Sequence, residues 1–227
     1  MSAVGLLALA AAAFVATHFL LSHPLRAGLV ASLGERIFAL LYSLVAFATL
    51  YAMVRTYGPA TEQAPAPLWQ AGEAGWIVAT LLMWLGSVLF AGSLRRNPAF
   101  PTGGKLVTRI GAARGVFAIT RHPMMWGFAS WALVHAIVNP TLASLIVSAA
   151  IAILALGGAA GQDIKKRKLV GAAWREWEAR TSFVPFGRGF ALPDGFALVG
   201  GTVLWLAATF AHGAFGYQPA GMWHWFA

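Results

Sequence analysis

The stretch VFAITRHPMMWGFASWALVHAIVNPTLASLIVSAAIAILALGGAA, residues 116–160, decides the fold class. Two apolar runs flank one Asn139-Pro140 turn, and Arg121 is the single formal charge in the whole segment. Each run is about the 20 residues a helix needs to cross the hydrocarbon layer. Working outward, residues 3–21, 37–54, 75–94 and 196–214 repeat the same character around runs 116–138 and 141–160. The expected fold is therefore all-α, a polytopic transmembrane helical bundle of about six spans, forming a single domain over 1–227. The composition agrees, with 59% hydrophobic residues and 10% charged, against about 25% charged in soluble domains. A soluble enzyme, a disordered tail and a fibre are excluded. With no cysteine, disulfides, thiolate metal sites and a catalytic thiol are excluded as well.

Sixteen Lys and Arg against seven Asp and Glu give a net charge of +9. In a soluble chain such a balance points to nucleic acid, but here the basic residues fall in loops that face anionic lipid, so membrane lipids are the expected partner and nucleic acid is not. Alternate loops carry fifteen basic residues and one: Arg26, Arg36, the group from Arg95 to Arg121 that includes Lys105, and seven from Lys165 to Arg188, against Arg55 alone. The positive-inside rule then places both termini on the non-cytoplasmic side, as in a bacterial-type inner (plasma) membrane. The loop at 57–72, with Pro59, Pro65, Pro67 and Trp69, reads as an external spacer. In the fifth loop Trp174 and Trp177 stand at i, i+3 opposite a basic face, which predicts an amphipathic helix lying in the interface. No internal repeat supports a duplicated transporter architecture. Gly86, Gly92, Gly157, Gly158 and Gly161 permit close helix contacts.

Ionisable side chains at membrane depth are costly without a partner and so mark candidate sites. For one lone histidine, a structural hydrogen bond to a helix carbonyl is the commoner explanation; four at depth change the balance. His18 and His122 lie near the cytoplasmic side, and His135 and His212 near the external side. His23 and His224 fall outside the spans. Thirteen residues separate His122 from His135, which is roughly 20 Å along a helix, so they cannot share one metal. Depth alone allows His18 to meet His122 and His135 to meet His212. Facing imidazoles in a bundle can hold haem iron or another transition metal. Trp131, Phe128 and Trp205 would then wall a pocket, although ordinary core packing explains any single ring. Pro123 is well placed at a first helical turn, and Arg121 with His122 could hold an anionic or carboxylate group at that helix start.

His18 through Ser22 with Arg26, then Gly34-Glu35-Arg36, Ile119-Thr120-Arg121-His122-Pro123 with Gly127 and His135, Thr181-Ser182 with Val184-Pro185-Phe186, and Phe210-Ala211-His212 together resemble the NnrU family of membrane proteins. That family includes bacterial denitrification-associated proteins and plant 15-cis-zeta-carotene isomerases. The resemblance implies a haem b membrane protein, with the isomerase's ligand histidines matching His18 and His135. On the topology above these two stand at opposite ends, and His135 with His212 is the alternative pair. Ala132 stands where the plant enzymes have a cysteine, and Arg55 where they have a loop histidine, departures that bear on carotenoid isomerisation more than on haem. A more distant similarity is to integral-membrane isoprenylcysteine and phospholipid methyltransferases. It rests on Arg121-His122-Pro123 with Gly127, then Trp174 and Trp177 before Pro185, and implies S-adenosylmethionine held by Arg121, His122 and Asp163. Three functions are thus expected as alternatives: a haem-dependent cis/trans isomerase of a polyene or other lipid-soluble substrate, a methyltransferase-like enzyme, and a non-enzymatic accessory protein of nitrite or nitric oxide reductase.

Overall fold

The computed structural model describes residues 1–100 and 109–226. Lys105, counted above among the loop charges, lies outside the described residues. The helices are α1 (Ala3–Ser22), α2 (Arg26–Gln63), α3 (Glu73–Ser93), α4 (Val116–Ile119), α5 (Pro123–Val138), α6 (Leu142–Val170), α7 (Ala172–Arg180) and α8 (Gly195–Ala214), with a terminal 3-10 turn at Met222–Trp225. Five of them are long and apolar enough to cross a membrane, and α5 is a shorter apolar helix. The polytopic helical bundle expected from hydropathy is what the chain forms.

Helix starts follow local chemistry. Ser2 accepts from Gly5 N, Thr141 from Ser144 N and Asp194 from Ala197 N, each side chain satisfying an otherwise orphaned N–H. Three boundaries differ from the hydropathy reading. The run at 116–138 is not one helix, because Thr120 is extended and His122 leaves helical geometry before Pro123. Proline disfavours the α conformation in the residue before it, and the freed backbone finds partners far away: Arg121 N donates to Ser182 O, and Phe186 N to Ile119 O. The supposed loops around the second span are largely helical, since α2 begins at Arg26 and runs through Pro59 to Gln63. Gly34 breaks it with φ 77°, a conformation that favours glycine. The third difference is α6, which continues ten residues past the expected exit at 160 and carries the basic cluster on its last turns.

Packing runs in sequence across the bundle: α2 on α1, α1 on α6, α6 on α5, α5 on α3, and α3 on α8. Two apolar cores result. One joins α1, α2 and α6 through Leu7, Ala11, Phe14, Met53, Ala143 and Ala150. The other joins α3, α4, α7 and α8 through Val88, Leu89, Phe117, Ile119, Trp174, Trp177 and Ala197. The second core corrects the reading of the fifth loop: α7 exists, but Trp174 and Trp177 are fully buried in protein, so its apolar face packs inward and does not lie against lipid. The outer faces of α2 and α8 leave Leu40, Leu44, Phe47, Val199, Val203 and Phe210 exposed, as a surface bathed by hydrocarbon requires.

Small residues set the closest crossings. At Gly201 a β-carbon would lie 2.3 Å from Val88 Cα, so α8 touches the α3 backbone there. Gly201→Ala should therefore force the two helices apart and destabilise the protein by about 3 kcal/mol, the upper part of the overpacking range. Gly213, whose β-carbon would meet nothing within 4 Å, is the control on the same helix. Equal melting temperatures of the two alanine variants in detergent would refute the crossing.

Candidate functional site

The sequence-predicted residues resolve into three places. At the end where α5 begins, the break at 120–122 turns Arg121 and His122 toward α6. Arg121 Nε and Nη2 donate to Asp163 Oδ2 at 2.9 and 2.6 Å, and His122 Nε2 lies 2.9 Å from Asp163 Oδ1. Asp163 is 3% exposed and His122 2%. Glu178 of α7 approaches Arg121 at 3.9 Å and is itself held by Arg167. The guanidinium also lies over the Phe183 ring, 5.4 Å from its centre, while Thr120 Oγ1 donates to Phe183 O. The carboxylate that Arg121 and His122 meet in this structure is the chain's own Asp163. This network clamps α5, α6, α7 and the segment after α7 together.

The opposite end holds His135 and His212. Their ring centres are 6.2 Å apart, and Trp131 stacks on His135 at 3.9 Å. In each, Nδ1 faces a carbonyl one turn back, Trp131 O for His135 and Ala208 O for His212, both at 2.8 Å. A carbonyl can only accept, so Nδ1 carries the proton and Nε2 keeps its lone pair. A bond of this kind at the other ring nitrogen is what orients histidines that ligate metals. Two imidazoles bound to one transition metal through nitrogens at about 2 Å have ring centres about 6 Å apart at most. The donor chemistry suits a transition metal, and the 6.2 Å spacing sits at the upper limit for one shared ion. Trp205, expected in the same wall, instead donates to Ala220 O and holds the C-terminal tail, and Phe128 faces elsewhere.

His18 belongs to a third place. It shares the same bond, Nδ1 to Phe14 O at 2.7 Å, and its ring meets Tyr42 edge-on at 5.6 Å. Together they line a cavity of about 510 Å³ between α1, α2, α5 and α6, with Met125, Phe128, Ile151 and Leu154 on its apolar walls. Ser22, His23, Gln162 and Lys165 stand at one end of it. Gly157 seats the Phe19 ring and Gly161 the His23 ring, where a β-carbon would collide with either. Burial, reinforced by the positive charge of Lys165, holds His23 below the ordinary histidine range, so its ring is neutral at pH 7. His23, Tyr42 and Lys165 escaped the sequence reading. The one available signal was the i, i+3 pair of Gln162 and Lys165 beside Gly158 and Gly161.

Of the pairings allowed by depth, His135 with His212 is brought together. His122 meets Asp163, and it does not line the cavity that holds His18. His18 and His135 also stand apart. The α5–α6 hairpin puts His135 beside the first turns of α6, while Phe19, next to His18, rests on Gly157; at 1.5 Å per residue, about 20 Å of helix separates them. Among the described residues no group of three or more His, Asp or Glu could hold a metal ion.

These features define a class: a helical membrane protein with a buried polar clamp at one end, a histidine pair at the other, and a lipid-sized cavity between helices. The model of the NnrU protein family matches residues 6–219, and the chain belongs to the NnrU family, as its motifs led one to expect. No curated protein and no solved structure matches it.

Proposed function

We propose that this NnrU-family chain is a haem b protein of a bacterial-type inner membrane, with both termini on the non-cytoplasmic side, acting on a lipid-soluble substrate. The observation that carries the reading is the His135–His212 pair, 6.2 Å apart with each Nδ1 tied to a carbonyl. Those two histidines would hold the iron, and Trp131 would pack against the ligand ring. Haem, when bound, supplies the electronic chemistry for redox-gated cis/trans isomerisation. The chain's own residues do the rest. The cavity walls exclude water and hold an extended apolar chain, and Tyr42 offers a hydroxyl beside the His18 ring.

The methyltransferase-like alternative draws less support. Arg121 and His122 both pair with Asp163, and none of the three lines the cavity. No specific observation favours an accessory role in denitrification.

The test is absorption spectroscopy of the detergent-purified chain, oxidised and dithionite-reduced, with a pyridine haemochrome assay. About one b-type haem per chain is the expected result, on the premise that a fixed imidazole pair binds iron tightly. A protein that stays colourless after haem loading would overturn the reading.

A further inference from the structure

A neutral hydrocarbon leaves one end of the cavity unexplained. Lys165 lies on the lining, half-buried, with Ser22, His23 and Gln162 around it. Among the described residues it makes no hydrogen bond or ion pair: the salt bridges join Arg26 to Glu35, Arg121 to Asp163 and Glu178, His122 to Asp163, and Arg167 to Glu178. Arg26 and Glu35, the charges that act on Lys165, are already paired with each other. His23 adds an imidazole that burial and Lys165 hold toward its neutral form, so among the described residues the cavity end carries one uncompensated positive charge. A half-buried ammonium without a partner is costly, and an anion satisfies it.

From that end the cavity deepens into Phe14, Met125, Phe128, Leu154 and Ile151. Between Lys165 and Ile151 α6 rises about 21 Å, somewhat more than the roughly 15 Å depth of one hydrocarbon leaflet. A volume of about 510 Å³ lies within the range of small-ligand pockets. Length, volume and charge agree on one kind of occupant.

We infer that the cavity binds an anionic single-chain amphiphile, its carboxylate or phosphate at the Lys165 ammonium and its apolar chain running among Phe14, Met125, Phe128, Ile151 and Leu154. The inference deepens the proposed function, from which it takes only the premise that the lipid-soluble substrate sits in this cavity. Gln162 and Ser22 supply further polar contacts for the head group. Gly158, where a β-carbon meets nothing within 4 Å, leaves room for the chain.

The experiment measures equilibrium binding of radiolabelled oleate, oleyl phosphate and oleyl alcohol to the purified full-length chain in non-ionic detergent, with haem content measured on the same samples. One site per chain is expected, with both anions bound more tightly than the alcohol. Lys165→Met should weaken the anions by about tenfold or more, the size of a lost charged hydrogen bond, and leave the alcohol unchanged. Gly158→Leu, which fills open space, should weaken all three. The ratio of oleate to oleyl phosphate separates a carboxylate from a phosphate ligand. Equal binding of oleate and oleyl alcohol, or Lys165→Met binding oleate as the parent does, overturns the inference. Haem-loaded protein that takes up no oleate overturns it too and leaves the haem reading standing. Haem-free protein that binds oleate through Lys165 supports it while overturning the haem reading.

Discussion

Replacing Asp163 with alanine is expected to destabilise the protein by about 3–5 kcal/mol, the cost of removing one partner from a buried ionic group. The carboxylate is 3% exposed and accepts from Arg121 through two nitrogens, with His122 on its other oxygen. Without it, among the described residues, a guanidinium whose side chain is 11% exposed keeps one carboxylate neighbour, Glu178 at 3.9 Å, and the Phe183 ring. Among the described residues His122 Nδ1 has no partner, and the change also removes the bond at Nε2. The clamp between α5, α6 and α7 then opens. Glu35→Ala removes a pair whose carboxylate is 63% exposed and should cost less than about 1 kcal/mol. Thermal unfolding in detergent, followed by circular dichroism, compares the two. Equal shifts would show that the Asp163 network carries no special weight.

The second large effect concerns haem. His135→Ala and His212→Ala should each strip most of the haem from the purified protein, because either change would remove one of the two imidazoles proposed to hold the iron. His18→Ala, about 20 Å away along the bundle, should retain haem while altering substrate binding in the cavity it lines. Pyridine haemochrome quantification of the three variants decides. Full haem in the first two together with loss in the third would transfer the ligand role to His18 and remove the basis for the His135–His212 pair.

Span positions and helix starts were legible because they are local quantities. Transfer free energy sums along a run of about 20 residues whatever that run packs against, and Ser2, Thr141, Asp194 and Pro123 act on the turn they begin. The same local logic failed where a tertiary partner supplied the missing term. Residues 120–122 leave the helix because the backbone at 182–186 receives and donates the bonds that helix would have made. The tryptophans of α7 looked like lipid-facing residues because periodicity reports one apolar face without saying what covers it. Here it packs into a core shared with α3, α4 and α8.

The candidate site divides along the same line. That histidines sit at both membrane depths, that the basic residues crowd alternate loops, and that the chain carries NnrU motifs follow from the residues alone, since composition and spacing carry that information. Which imidazoles face each other does not. His135 and His212 lie on α5 and α8, helices separated in the bundle by α3, and their 6.2 Å approach depends on how both flank it. His122 finds Asp163 across 41 residues, and Lys165 comes to share a cavity with His18 and Tyr42 because Gly157 and Gly161 let α1 lie close on α6. Such meetings depend on side-chain volumes summed over whole helix faces, a three-dimensional quantity that no single stretch of the chain contains.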